Sequence, residues 1–217
     1  MLYLSTRSVL LAVAVSVTVV AQDTWTFSFD DDRVDHPPAG FTLAAMRQSD
    51  AGRWMVQRPA GSGALVHTAD PAASGYALAI ADRPAPEDIA VTVRLRLAGT
   101  ARTGGLVWRY RDDHNYYTLL LDLVRAELSA YRITAGNRVR LDMQDELELD
   151  GDAWHTLKVV HVGPELRVML GGVRVFVEQD RRYDRRPDAV GRVGVIATGP
   201  SEVWFDDLCV EAKRGHR

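Results

Sequence analysis

Apolar residues alternate with polar ones along most of this chain, and this period of two constrains its fold more than any other feature. Residues 89–97 place an aliphatic side chain at each odd position, with Thr92, Arg94 and Arg96 between them. "VRVFVEQ" repeats the pattern at residues 173–179. A period of two predicts β-strands with one face on a core. No stretch after residue 24 has a convincing helical period, so the sequence predicts an all-β protein.

Turn signals separate these runs at short intervals. Gly171-Gly172 in "MLGGVRV" and Gly136-Asn137 in "ITAGNRV" are typical of tight hairpins. Counting in this way predicts about thirteen to fifteen short strands, mostly antiparallel, in a sandwich of two sheets. Nothing in the sequence indicates a linker or a repeat, so we expect one domain over residues 22–212.

The N-terminal segment has the features of a signal peptide over residues 1–21. Arg7 precedes the apolar run "VLLAVAVSVTVVA", and Val19 and Ala21 fit the small-residue rule for cleavage before Gln22. The sequence therefore predicts a secreted or periplasmic protein with no membrane span after cleavage. An uncleaved N-terminal anchor remains the alternative. The basic residues 213–217 are expected to form a frayed tail.

Charge and cysteine content exclude several classes of function. The formal net charge is -3, which argues against a nucleic-acid or anionic-membrane partner, because both require a basic surface. The single cysteine, Cys209, allows no disulfide within the chain. We therefore expect the hydrophobic core alone to stabilise the fold.

The stretch "GGLVWRYRDDHNYYTLLLD" at residues 104–122 mixes strand and turn signals. Two alternating runs flank "RDDHN", and Asp and Asn favour turns because their side chains bond nearby backbone amides. We interpret Asp112, Asp113 and His114 as turn residues, with a catalytic cluster as the alternative. Trp108 and Leu106 share one parity, which is expected to face the core.

The polar parity of these strands predicts a ligand-binding face. Arginine and aspartate side chains bind sugar hydroxyls through paired hydrogen bonds, and an aromatic ring packs on the apolar face of a pyranose. A solvated outer face with no ligand is the alternative, and a register slip by one residue would exchange the two faces. The candidate ligand-binding residues are Arg94, Arg96, Arg109, Tyr116, Thr118, Asp122 and Tyr131.

Three stretches together resemble a known family. "GGLVWRYRDDHNYYTLLLD", "WHTLKVVHVGPELRVMLGGVRVF" and "GRVGVIATGPSEVWFDDLCVE" are similar to the laminin-G-like, concanavalin A-like lectin/glucanase domains of bacterial secreted proteins. Gly171-Gly172 stands where the family usually has Asp-Gly or Asn-Gly. The resemblance covers nearly the whole chain after residue 22 and implies a jelly-roll sandwich. Relatives include 3-keto-disaccharide hydrolases, family 16 glycoside-hydrolase-like domains and carbohydrate-binding modules.

The sequence offers little support for catalysis. A retaining glycosidase needs two carboxylates about 5 Å apart, and glucanase relatives carry them as E-x-D-x-x-E on one strand. The nearest pattern here, Glu146, Glu148 and Asp150 in "DELELDGD", lacks the final glutamate. We therefore predict a secreted, non-catalytic domain that binds a carbohydrate or another extracellular ligand. A glycoside-acting hydrolase of the 3-keto-disaccharide type and a structural or protein-interaction domain are the alternatives.

Acidic residues near both ends of the domain suggest a calcium site. Asp30 follows the first strand pattern and Asp206 lies in the last. In jelly-roll sandwiches the first and last strands commonly lie side by side, and carboxylate oxygens suit calcium. The family resemblance also implies a structural calcium. The alternative is that Asp30 to Asp32 begin a turn and Asp206 caps or bonds the neighbouring backbone.

Overall fold

The computed structural model describes residues 23–46, 52–69, 74–99, 102–151, 153–182 and 191–213. In these ranges the chain forms fifteen strands and one short 3-10 helix, Pro59–Gly61. The strands are β1 (Thr24–Phe27), β2 (Phe41–Met46), β3 (Arg53–Gln57), β4 (Ala64–Thr68), β5 (Tyr76–Ala81), β6 (Ile89–Gly99), β7 (Thr103–Asp112), β8 (Asn115–Asp122), β9 (Glu127–Thr134), β10 (Asn137–Gln144), β11 (His155–Val162), β12 (Glu165–Leu170), β13 (Val173–Gln179), β14 (Arg192–Thr198) and β15 (Ser201–Ala212).

The strands pair into two sheets. The front sheet has the order β10-β9-β8-β7-β14-β5-β2, and the back sheet has the order β13-β12-β11-β6-β15-β4-β3, with β1 beside β15. Every pairing between these strands is antiparallel. The predicted all-β, two-sheet antiparallel sandwich is confirmed.

The core lies between the sheets and is built from the alternating residues of the sequence pattern. Val91, Val93 and Leu95 of β6 are fully buried, as are Leu106 and Trp108 of β7. Burying each side chain of this size contributes about 1.5–3 kcal/mol. The prediction that Leu106 and Trp108 face the core is confirmed.

The turns follow the predicted chemistry. Gly171 and Gly172 close the β12–β13 hairpin with φ of 59° and 82°, a conformation that side chains with a Cβ disfavour. In the β7–β8 turn, Asp112 Oδ1 accepts hydrogen bonds from the His114 amide at 2.8 Å and the Asn115 side chain at 2.9 Å. The interpretation of "RDDHN" as a turn is therefore confirmed.

Strand β7 departs from the expected alternation at Arg109. The pairing of β7 with β8 shifts register between Trp108 and Asp112, and Arg109 has a φ of 48°. Such a β-bulge redirects the side chains that follow it. Arg109 is consequently buried at the end of the interior, and the prediction that it shares an outer face with Thr118 is wrong.

The chain ends lie partly outside the described residues. The predicted signal peptide, residues 1–21, is among the residues not described, as are residues 214–217 of the predicted tail. Lys213 is described, and its amide donates to the Asp88 carbonyl at 2.8 Å. In the described ranges, the one helical segment is far too short to traverse a bilayer.

Candidate functional site

The outer face of the front sheet carries a second apolar cluster, separate from the core between the sheets. Leu78 and Ile80 of β5, Val107 of β7 and Ile196 of β14 are fully buried there. Gly105 adds to this close packing, because a Cβ at that position would lie 1.8 Å from the Leu119 carbonyl oxygen. These side chains form an apolar floor on the outer side of the sheet.

The front sheet curls until its two flanks meet above that apolar floor. Arg138 of β10 donates a hydrogen bond to the hydroxyl of Tyr76 on β5, although four strands lie between β10 and β5 in the sheet. On a flat sheet, five steps of about 4.8 Å would separate those strands by about 24 Å. The contact therefore requires a strongly concave face.

A cavity of about 500 Å³ opens on this concave face, which we call the front groove. Leu120 contributes an apolar surface, and the rings of Tyr76 and Tyr131 contribute aromatic ones. Its polar lining comes from Thr103, Asp122, Arg125, Glu127, Ser129, Arg138 and Thr198. This combination of apolar surface and dispersed polar groups is typical of small-molecule and saccharide sites.

Two carboxylates of the front groove come from neighbouring strands. Asp122 of β8 and Glu127 of β9 are register partners. Asp122 Oδ1 accepts hydrogen bonds from the amides of Val124 and Arg125 at 3.0 Å each, and Glu127 accepts one from the Ser129 hydroxyl. These bonds fix both carboxylates in the wall of the groove.

Four of the seven predicted ligand-binding residues lie on this outer face. Asp122 and Tyr131 line the front groove, and Tyr116 belongs to the apolar cluster beneath it. Thr118, in register with Tyr131, donates its hydroxyl to the Leu106 carbonyl at 2.9 Å and is 2% exposed. The structure therefore brings this group together, and a ligand-binding role for its members stays a prediction.

Arg109 instead joins a polar cluster that links the two sheets. Its guanidinium contacts the Glu87 carbonyl at 3.0 Å, the Gly163 carbonyl at 3.3 Å and His161 Nε2 at 3.1 Å. Trp108 Nε1 donates to His161 Nδ1 at 2.9 Å. Burial, followed by the Arg109 charge, lowers the pKa of His161 well below its ordinary value. The imidazole is therefore neutral in the folded protein.

A buried ion pair lies in the same interior. Arg132 pairs with Asp180, and the Tyr117 hydroxyl donates to Asp180 Oδ2 at 2.8 Å. Burial, together with that hydrogen bond, raises the pKa of Tyr117 to about 12. Because these groups bond one another inside the sandwich, their arrangement indicates a structural role.

Arg94 and Arg96 lie on the other side of the molecule. They belong to β6, in the back sheet, and share its outer face with Trp204 of β15. Arg94 lies 5.1 Å from the ring centre of Trp154, and Arg96 lies 5.0 Å from that of Trp204. The prediction that Arg94 and Arg96 share one sheet face with Thr118 and Tyr131 is therefore wrong.

The two predicted calcium ligands are close enough to interact electrostatically. Burial is the main cause of the raised pKa of Asp206, and the Asp30 charge contributes to it. Asp30 Oδ1 accepts a hydrogen bond from the Gly63 amide at 2.7 Å, while Asp206 lies 3.6 Å from Arg94. The described residues contain no group of three His, Cys, Asp or Glu side chains suited to a metal. Calcium binding would need backbone or water oxygens as well, and it stays a prediction.

Sequence reasoning missed the residues that shape the front groove most. Tyr76, Glu127 and Arg138, which line the groove, were not among the candidates. Arg138 and Arg140 alternate in "NRVRL", which is the signature of one strand face. That signal does not show which face is concave, because the curl of the sheet depends on contacts between distant strands.

The carboxylates considered for catalysis do not form a strand in the structure. Strand β10 ends at Gln144, and Glu146 follows it with a φ of 54°. Strict alternation of side chains requires extended backbone. Glu146, Glu148 and Asp150 therefore lack the arrangement that the glucanase pattern needs.

Comparison with known proteins identifies the fold. No protein-family model matches the sequence, and no curated protein matches it. The structure is similar to a carbohydrate-binding module, CBM66, from Bacillus subtilis, with a TM-score of 0.61 and 14% identity over 78% of this chain and 95% of that one. It is also similar to domain 4 of AbnA, an extracellular arabinanase from Geobacillus stearothermophilus, solved with arabinotriose, with a TM-score of 0.58 and 12% identity over 86% and 90% of the two chains.

A Bacillus licheniformis β-glucanase gives a TM-score of 0.58 at 10% identity, over 91% of this chain and 100% of the other. Binding modules and hydrolases thus share this architecture. The chain has the concanavalin A-like lectin/glucanase fold, as the sequence resemblance implied. The narrower laminin-G-like assignment stays a prediction.

Proposed function

We propose that this protein is an exported, non-catalytic domain that binds a glycan in the front groove. The observation that carries the proposal is the cavity of about 500 Å³, with Tyr76 and Tyr131 beside dispersed polar groups. Export is inferred from the signal-peptide features of residues 1–21.

Saccharide chemistry matches this lining. A pyranose has an apolar face of C–H groups, which packs against tyrosine rings and aliphatic side chains such as Leu120. Its hydroxyl groups donate to carboxylates, and Asp122 and Glu127 already stand in the groove wall. Because each side chain has a fixed backbone position in the sheet, the groove is organised before a ligand arrives.

A glycan array probed with the purified protein tests this function. We expect a defined subset of saccharides to bind, and Tyr131→Ala to weaken their binding at least about tenfold, the equivalent of about 1.4 kcal/mol. Tyr76→Ala provides a second variant from the opposite flank. Trp204→Ala, on the back sheet, is the matched control and should bind as the wild type does. Failure of every saccharide, or equal effects of Tyr131→Ala and Trp204→Ala, would refute the proposal.

Glycoside hydrolysis is the second candidate, and one observation favours it. Asp122 and Glu127 are register partners in neighbouring strands and both line the front groove. Directly paired residues of antiparallel strands have Cβ atoms about 4.5–5.5 Å apart. That spacing is compatible with the two carboxylates of a retaining glycosidase.

Release of reducing ends from array-positive saccharides separates the two candidates. A hydrolase loses turnover in both Asp122→Asn and Glu127→Gln while it still binds. A binding module releases no sugar, and these variants change only its affinity. Sustained hydrolysis that depends on both carboxylates would replace the non-catalytic proposal.

A further inference from the structure

Strand β10 presents two arginines along the rim of the front groove. Arg138 and Arg140 alternate in the strand and are both exposed. Their register partners on β9 are Ile133 and Tyr131, which belong to the groove face. The pair therefore places two positive charges along one edge of the candidate glycan site, which we call the rim arginines.

Contacts with both flanks of the groove hold Arg138 in place. Its guanidinium carbon lies 3.5 Å from the ring centre of Tyr131 and 5.6 Å from that of Tyr76. One terminal nitrogen donates to the Tyr76 hydroxyl. An arginine fixed in this way loses little additional side-chain entropy when it binds a ligand.

The rim arginines have no carboxylate partner among the described residues. Arg125, at the end of the groove, lies 3.9 Å from Asp122, and Arg192 lies 3.6 Å from Asp82. No such ion pair forms at Arg138 or Arg140 within the described ranges. A guanidinium has five N–H donors, and the Tyr76 hydroxyl accepts only one of those on Arg138.

We propose that the glycan bound in the front groove is acidic and that Arg138 binds its carboxylate, with Arg140 adding attraction. This inference rests on the proposed glycan-binding function and names the class of sugar. The chemistry that the rim arginines recognise is an oxyanion carried by the saccharide. A uronic acid carboxylate fits better than a sulfate ester, because the planar guanidinium fork matches a planar carboxylate in two parallel hydrogen bonds.

A neutral glycan would be disfavoured at this position. It would remove water from Arg138 without supplying a negative charge, and burying an unpaired charge is costly. The attraction must be local, because the chain has a net charge of -3. It should consequently weaken as salt screens the rim arginines.

Isothermal titration with oligogalacturonates tests the proposal, and the same oligosaccharides with their carboxyl groups reduced to alcohols supply a neutral arm. A sulfated galactan oligosaccharide is the third arm. We expect the oligogalacturonates to bind at least tenfold more tightly than the reduced form, and less tightly at higher sodium chloride concentration. Arg138→Gln should weaken oligogalacturonate binding at least tenfold and Arg140→Gln a few-fold, with little effect on the reduced form.

Arg53→Gln is the matched control, because Arg53 is also an exposed strand arginine but lies on β3, at the edge of the back sheet. It should leave every affinity unchanged. Tighter binding of the reduced oligosaccharide, or no effect of Arg138→Gln, would overturn the acidic assignment. The proposed function would survive that result if Tyr131→Ala still weakened binding at least about tenfold. Tighter binding of the sulfated oligosaccharide would overturn the assignment of a carboxylate as the bound group. Binding of none of the three oligosaccharides would overturn the acidic proposal, and the glycan array would then decide whether the protein binds glycans.

Discussion

Two regions of this molecule place arginine beside tyrosine, and the arginines have different roles in the two regions. In the interior, Arg109 lies 5.7 Å from the ring centre of Tyr117, and Arg132 pairs with Asp180. At the rim of the front groove, Arg138 lies 3.5 Å from the ring centre of Tyr131. The residue types are the same, but the interior arginines are bonded to acceptors that the protein itself provides.

The difference follows from burial. A charge removed from water must be paired and hydrogen-bonded, so the interior arginines are committed to the fold. A rim arginine remains hydrated until a ligand arrives, so it needs no internal carboxylate. The presence of internal acceptors therefore separates structural arginines from candidate binding arginines better than arginine content does.

The largest expected change in the free energy of unfolding comes from breaking the interior ion pair between Arg132 and Asp180. Asp180→Ala would leave the buried Arg132 charge without its carboxylate, and breaking a buried pair in this way costs about 3–5 kcal/mol. Urea unfolding followed by circular dichroism measures the change. Arg138→Gln is the control and should alter the free energy of unfolding by less than about 0.5 kcal/mol, because Arg138 is exposed. Equal effects of the two substitutions would remove the distinction between the regions.

Calcium is expected to cause the next largest change in stability, at the predicted calcium site, where Arg94 already has carboxylate partners. Arg94 lies 3.6 Å from Asp206 and 3.2 Å from Asp207. If calcium binds Asp30 and Asp206, a concentration a hundredfold above its dissociation constant stabilises the fold by about 2.7 kcal/mol. Differential scanning fluorimetry should show a higher melting temperature with calcium than with chelator, and Asp206→Ala should abolish the difference. Identical melting curves would show that Asp30 and Asp206 do not bind calcium.

The sequence predicts the architecture well because alternation and turns are local signals. The two-sheet sandwich, the Gly171-Gly172 hairpin and the inward position of Trp108 all follow from such signals. Local signals do not predict the position of Arg109, because a β-bulge reverses the direction of its side chain. The φ there is 48°, at a residue that is not glycine. A parity argument fails at the first irregular residue of a strand.

The candidate site was only partly predictable, for a different reason. Asp122 and Tyr131 lie in the front groove as residues of one face, but Arg94 and Arg96 belong to the other sheet. The assignment of strands to sheets depends on long-range pairing, which composition and periodicity do not encode. Arg138 reaches Tyr76 only because the front sheet curls, and that curl is a property of the whole sheet.

Acidic pH should lower the stability of the folded protein through His161, which lies in the interior cluster. The pKa of His161 is well below 6.5 in the folded protein, whereas the unfolded chain has the ordinary value of about 6.5. Well above pH 6.5 the residue is neutral in both states and adds no pH dependence. As the pH falls below 6.5, the unfolded chain binds a proton that the folded protein does not, so stability falls by at most about 1.4 kcal/mol for each pH unit.

Urea unfolding at pH 7.5, 6.5 and 5.5 measures this loss of stability. The His161 ring signals in a proton NMR titration of the folded protein provide the direct check, and they should not move between pH 7.5 and 5.5. Movement of the His161 signals over this range would mean that the interior cluster accepts a proton and is open to solvent.

The smallest effect is expected at Arg94, and it decides which outer face binds the ligand. Arg94 is a half-buried residue of the back sheet whose side chain is 43% accessible, and it shares its charge between Asp206 and Asp207. Surface ion pairs of this kind contribute about 0–1 kcal/mol. Arg94→Ala should therefore change the free energy of unfolding by less than about 1 kcal/mol and leave the affinity for an array-positive glycan unchanged. The same titration with Arg138→Gln should show a clear loss, because Arg138, unlike Arg94, lines the front groove. If Arg94→Ala weakened binding and Arg138→Gln did not, the glycan would bind beside Trp154 and Trp204 on the back sheet, and the front groove would have no part in its recognition.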